Sequence, residues 1–158
     1  MEFRQNDGIP SHGISKPYIT PSGFAINGDN YTDNCLAKKL VPYIQNLPPN
    51  TRYIFWPDLA GAHYSKKAVQ FLKDQNIKFL PKSENPPNTP EIRCIEDFWS
   101  LIKGEVYKDG WEAENLDQLE KRIKYCFKNF DKKLVHELAE STQRRIDQIR
   151  RYGLPENR

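Results

Sequence analysis

Cysteine is scarce in this chain, and its three copies, Cys35, Cys94 and Cys126, lie far apart. With an odd count and no Cys-x-x-Cys pair, neither a disulfide framework nor a cysteine-bound zinc is expected, and reduced thiols of a cytosolic or nuclear protein fit better. Long apolar runs are missing too, none approaching the ~20 residues of a membrane helix. Met1 is followed by Glu-Phe-Arg-Gln-Asn-Asp, which lacks the apolar stretch of a secretory signal. There is no internal repeat and no low-complexity tract. Strong charge bias is absent as well: the formal net charge is +3, weak evidence for nucleic acid when taken alone.

What is present is one domain's worth of chain. Its 158 residues are 37% hydrophobic and 28% charged, the balance of a globular protein. Basic residues gather late, in the Lys-rich stretch 121–133 and at Arg144, Arg145, Arg150, Arg151 and Arg158. The arginines either form a phosphate-binding stripe or keep a surface helix soluble.

Residues 1–13 are polar and hold two turn signals, Asp7-Gly8 and His12-Gly13. Ile14 to Thr20 reads as a short strand, with Pro17 pointing to an edge or bulge. A helix is expected from Asn30, with Leu36, Leu40, Tyr43, Ile44 and Leu47 at helical spacing and Pro42 as a kink or the start of a new turn. Tyr53-Ile54-Phe55-Trp56 reads as a buried strand, and Ile77 to Leu80 as the next. Between them lies a helix capped by Ser65, with Ala68, Val69 and Leu72 facing inward. Ser83 to Pro90 holds three prolines and reads as an extended loop. Three further helices follow: Ile92 to about Gly110, one opening at an Asn115 cap, and one from about Leu134 to Tyr152, stopped by Gly153 and Pro155. Strand–helix–strand alternation implies parallel strands joined by crossover helices, with ligand sites at their carboxyl ends.

Asp58 directly follows the buried strand, where a carboxylate is fixed and can face such a crevice. It reads equally as a loop Asp that turns the chain. In the helix after the Pro-rich loop, Ile92, Ile95, Phe98, Trp99, Ile102 and Val106 form one stripe. At 100° per residue, Glu96 lies about 90° from the centre of that stripe, and Asp97 almost opposite it. Glu96 is therefore the better candidate for a positioned, partly buried carboxylate. It is otherwise an ordinary helix-boundary Glu, pairing with Lys103. Trp56, Phe98 and Trp99 are expected in the core. Two hard-oxygen ligands brought together suit Mg2+ or Mn2+, although two-metal phosphoryl transfer normally needs a third.

The segments around these carboxylates resemble the mariner-type superfamily of DDE transposases. Members carry an apolar strand ending in Asp and then Ala-x-x-His; here the chain reads Ile54-Phe55-Trp56-Pro57-Asp58-Leu59-Ala60-Gly61-Ala62-His63. Members then carry Pro-Pro-x-Ser-Pro-Asp and Asn-Pro-Ile-Glu-x-x-Trp. Here those segments are Pro86-Pro87-Asn88-Thr89-Pro90-Glu91 and Arg93-Cys94-Ile95-Glu96-Asp97-Phe98-Trp99. Upstream, Gly13-Ile14-Ser15-Lys16-Pro17-Tyr18 resembles the family's third strand. Leu59, Glu91 and the pair Arg93-Cys94 depart from the pattern.

The resemblance covers residues 12–150 and implies an α/β, ribonuclease H-like fold, a mixed sheet flanked by helices with a helical C-terminal tail. It implies that residues 1–158 form a partial DDE catalytic domain, without the family's N-terminal helix-turn-helix domains. Asp58 and Glu96 become catalytic metal ligands for Mg2+ or Mn2+. His63 would steady the metal site or contact DNA, or simply open a helix. Lys66, Lys67 and Lys82 would touch phosphate or form a solvated face. The implied partner is DNA, both transposon ends and target; a homodimer is compatible, and neither a membrane nor a small-molecule cofactor is implied. The implied location is the nucleus, with the cytoplasm as the alternative.

The family's first catalytic Asp lies on a strand before the Gly-Ile-Ser-Lys-Pro segment. Only 13 residues precede Ile14, with Asp7 in a polar stretch that reads as a turn. The expectation is a fold missing its first strand or strands and inactive in DNA cleavage. The alternative is a non-enzymatic DNA-binding or protein-interaction module from a decayed or domesticated transposon.

Overall fold

A computed structural model of the chain describes residues 2–4, 14–21, 23–87 and 92–153. Asp7, the turns at 7–8 and 12–13, Asn88 to Glu91 in the Pro-rich loop, Pro155 and Arg158 lie outside the described residues. Among the described residues no helix is long and apolar enough to cross a membrane.

The first helical run spans residues 28–45 in three segments: α1 (Gly28–Asn30), a π-helix (Tyr31–Leu40) and α2 (Val41–Gln45). Its start precedes the expected Asn30 because Asn27 is the cap. The Asn27 side chain accepts from the amides of Asp29 and Asn30, and Asn30 Oδ1 returns a bond to the Asn27 amide at 2.9 Å. The wider π winding continues until Val41, whose amide reaches Leu36 O, five residues back. Pro42 then sits in the first turn of α2, where its missing N–H is tolerated.

β2 (Ile54–Trp56) is the centre of the sheet. On one side Phe55 bridges Phe79 in parallel, with Phe55 N donating to Lys78 O (2.8 Å) and Leu80 N donating to Phe55 O (2.9 Å). The connection runs through α3 (Lys66–Asp74), so the parallel strand–helix–strand unit is present, with its second strand reduced to one bridge. Ser65 caps α3 as expected, accepting from Ala68 N at 3.2 Å. On the other side lies β1 (Glu2–Arg4), antiparallel to β2 in the register Phe3 to Phe55. Two expectations are corrected here. The polar N-terminal stretch, for which no strand was expected, supplies Glu2–Arg4 to the edge of β2. Residues 14–21 form no regular strand; Pro17 lacks the N–H a ladder needs, and Ile14 instead packs against a helical core.

Two cores result. Tyr31, Leu36, Leu40, Phe55, Ala68, Leu72 and Ile77 form one, between the π-helix, β2 and α3. Phe98, Ile102, Val106 and Cys126 form the other, among α4 (Cys94–Val106), α5 (Leu116–Asn129) and α6 (Lys132–Tyr152). Phe98 meets Phe130 and Phe127 edge-on, with centroids 5.1 and 5.5 Å apart. Arg122 of α5 donates to Glu105 O and Val106 O, satisfying carbonyls at the end of α4. Asn115 caps α5, accepting from Gln118 N at 2.9 Å. Gly153, at φ 82°, ends α6. Trp56 is in the core as expected, but Trp99 is 49% exposed: it lies at the edge of the second core, against Phe127.

Candidate functional site

β2 ends at Trp56, and Asp58 follows two residues later, at the carboxyl end of the strand that has a parallel partner. Its carboxylate is half exposed and firmly oriented. Oδ1 accepts from Ala60 N at 2.8 Å and lies 2.6 Å from His63 Nδ1. The His63 ring in turn lies against Tyr31 of the π-helix, centroids 4.3 Å apart. The hydrogen bond from His63 is the main reason the Asp58 carboxyl is held down, to about 2. Partial burial pushes the other way, while the Ala60 amide and the electrostatic influence of His63 and Arg93 add to the lowering. Asp58 is therefore an anion throughout the neutral range. Burial pushes the Tyr31 phenol well above its usual range, so it stays neutral there.

A polar hub that the sequence did not reveal ties this strand end to the start of α4. Asn85 is buried, at 4% exposure, and its amide is fully used. Oδ1 accepts from Trp56 Nε1 (2.8 Å) and from an Arg93 terminal nitrogen (3.0 Å). Nδ2 donates to Pro57 O and to the Tyr64 hydroxyl, both at 2.8 Å. Tyr64 passes its own proton to Leu80 O at 3.0 Å. The Arg93 guanidinium also lies over the Trp56 indole, 5.9 Å from its centroid. One side chain thus binds the end of β2, the approach to α3, the Phe79 strand through Tyr64, and the entry to α4. Nothing in the sequence marks Asn85 apart from any polar residue in a Pro-rich loop. The Arg93-Cys94 departure was the nearest signal.

Glu96 and Asp97 fall opposite to expectation. Glu96, in the first turn of α4, is exposed, whereas Asp97 is partly covered and forms an ion pair with Arg145 of α6. The stripe of α4 locates only the face against the core; α6 packs on an adjacent face, which carries Asp97. Lys67 is already paired, with Asp33 at 3.0 Å and Asp29 at 3.4 Å, and Asp33 holds its ammonium above the usual range. Lys66 begins α3 beside it, and Lys82 begins a short 3-10 turn; both are exposed. Of the late arginines, Arg150 lies 3.9 Å from Asp147, while Arg144 and Arg151 are exposed.

Most of the chain matches solved structures. The catalytic domain of Mos1 mariner transposase superposes with a TM-score of 0.64 at 16% identity, over 85% of this chain and 66% of that one. The fold is that of a mariner transposase catalytic domain. Structures of the same Mos1 domain with raltegravir and Mg or Mn each give a TM-score of 0.68, again at 16% identity, over 85% of this chain and 67% or 68% of theirs. This chain thus spans about two-thirds of the length of those mariner domains. No family model and no curated protein matches its sequence.

The mariner fold makes a divalent ion the group to test at Asp58. Asp58 and Glu96 each carry the hard oxygen donors that Mg2+ or Mn2+ takes. Among the described residues, no group of three or more His, Cys, Asp or Glu side chains converges, so these two do not by themselves make a two-ion site.

Proposed function

We propose that this chain is a transposase-derived domain that acts on DNA in the nucleus, with Asp58 and Glu96 in the places of the second and third mariner carboxylates. The mariner fold with an oriented carboxylate at the end of β2 supports this reading. Asp58 and Glu96 would be the residues to hold a divalent ion, which would supply charge stabilisation for phosphodiester chemistry. The chain's own residues do the preparatory work: Ala60 and His63 fix the rotamer of Asp58, and Asn85 holds the entry of α4 against the strand that precedes it. DNA, as transposon ends or target, is the partner, with Lys66 and Lys82 as exposed cations for its phosphates.

The same observations argue that the chain does not cleave DNA. Oδ1 of Asp58 is committed to His63 and Ala60, and among the described residues no three His, Cys, Asp or Glu side chains group together. Phosphoryl transfer depends on complete positioning of its charges. The reading is tested with labelled duplex DNA. Binding should weaken with salt, tighten with Mn2+, and lose its response to Mn2+ in Asp58→Asn. Binding that ignores Mn2+ and survives Asp58→Asn unchanged establishes the second reading, a non-enzymatic DNA-binding module. Strand cleavage in Mg2+ or Mn2+ that disappears in Glu96→Gln overturns the inactivity.

A further inference from the structure

Where mariner-type chains carry the Asn of Asn-Pro-Ile-Glu, this chain carries Arg93 at the start of α4, and the structure gives that change a place. The guanidinium is anchored from two sides. One terminal nitrogen donates to Asn85 Oδ1 at 3.0 Å, and the plane lies over the Trp56 indole. Asn85 is itself bound to Pro57 O, the residue next to Asp58. The anchor therefore fixes a permanent cation, through Asn85, against Pro57, the residue that precedes Asp58. Arg93 Nε is buried and has no hydrogen-bond partner, so the group is held for something other than saturation of its donors. A guanidinium cannot give up its proton in a protein, so this charge cannot be titrated away.

We propose that Arg93 is a built-in counter-ion for Asp58 that weakens divalent-cation binding at the end of β2. The proposal rests on Asp58 being a cation ligand. A fixed positive charge near a carboxylate repels an incoming divalent ion twice as strongly as a monovalent one. It also lowers the negative potential that would attract the ion. Arg93 is a positioning residue in this sense: it sets what Asp58 can bind without binding it.

The test uses the full chain and Mn2+ alone, with free Mn2+ read by electron paramagnetic resonance. Arg93→Asn restores the residue that mariner-type chains carry and should tighten Mn2+ binding by at least ~10-fold. Arg93→Lys keeps the charge and should keep the wild-type affinity. A merely structural role for Arg93 predicts the reverse, since losing the Asn85 anchor would loosen the site and weaken binding in both variants. Unchanged or weaker binding in Arg93→Asn overturns the proposal, as does Mn2+ binding in Arg93→Lys as tight as in Arg93→Asn. Absence of binding in wild type and in both variants overturns it too. Adding Asp58→Asn to Arg93→Asn should abolish the gain. If the gain persists without Asp58, Asp58 is not the ligand, and the reading of that carboxylate fails separately from the effect of Arg93.

Discussion

Replacing Asn85 by alanine removes four hydrogen bonds at once. Two of the partners, Trp56 Nε1 and Pro57 O, meet Asn85 in buried positions, and the other two, Tyr64 and Arg93, in partly buried ones. A buried group left without a partner costs about 1–3 kcal/mol, whereas partly buried groups recover bonds from water. Counting the two buried partners at mid-range, with a small remainder for the others, gives a loss of about 3–5 kcal/mol. For a chain of this size each kcal/mol moves the melting temperature by about 2–4 °C. The variant should therefore melt roughly 6–20 °C lower and show a proportionate drop in its urea midpoint, with the slope unchanged if unfolding stays two-state. Asn85→Asp makes the sharper comparison. It is nearly isosteric and keeps the acceptor for Trp56 and Arg93, but turns the donor facing Pro57 O into a second acceptor. It should be destabilising as well, and less so than alanine because Arg93 gains a full ion pair. A loss below about 1 kcal/mol in Asn85→Ala would refute the idea that this hub holds β2 to α4.

Further outcomes follow from the same geometry. The folded-state pKa of Asp58 is depressed, so its stabilising contribution is complete above the unfolded value near 4 and is lost as pH falls toward 2. Because the side chain is half exposed, that contribution is held to about 1 kcal/mol after screening. Urea midpoints at pH 5 and pH 2.5 should differ less in Asp58→Asn than in the wild type; equal differences would sink the argument. Asp97→Asn should destabilise by about 0.5–1 kcal/mol and speed amide exchange in α6, and a double-mutant cycle with Arg145→Gln should show a coupling of that order. Full additivity of the two would mean that the pair is not coupled. Lys66→Ala should flatten the salt dependence of DNA binding by about one unit, and Lys67→Ala by less, because Asp29 and Asp33 already neutralise Lys67. The opposite ranking in fluorescence anisotropy would remove Lys66 from the DNA surface. Gly153→Ala should cost about 1 kcal/mol in thermal stability, since the position needs a left-handed backbone; an unchanged melting curve would show that α6 ends without it.

The parts of this fold that could be read from sequence are those decided within a few residues. The caps at Ser65 and Asn115 were legible because a cap is a local hydrogen bond, and β2 because four apolar residues between polar neighbours leave little choice. Asp58 was placed by its position after that run. What failed depended on distant partners. Periodicity identified the inward face of α4 but could not see α6 arriving on the flank, so Glu96 and Asp97 were exchanged. A three-residue strand in a polar terminus has no pattern of its own, and β1 exists because β2 offers it an open edge. The Asn85 hub joins residues up to 29 positions apart, and no local rule singles out one loop asparagine.

The two sides of β2 close chain loops of different length. Reaching Phe79 from Phe55 encloses about 24 residues and the ready-made helix α3, whereas reaching Phe3 encloses about 52. Closure entropy makes the longer loop about 0.7 kcal/mol harder to form, and it gains only three residues of ladder. The bridge to Phe79 should therefore assemble early and the pairing with β1 last. During folding, β2 passes through a stage in which one edge is sealed and the other is an open template. In that interval an extended strand from any other source competes with Glu2–Arg4 for the same hydrogen bonds.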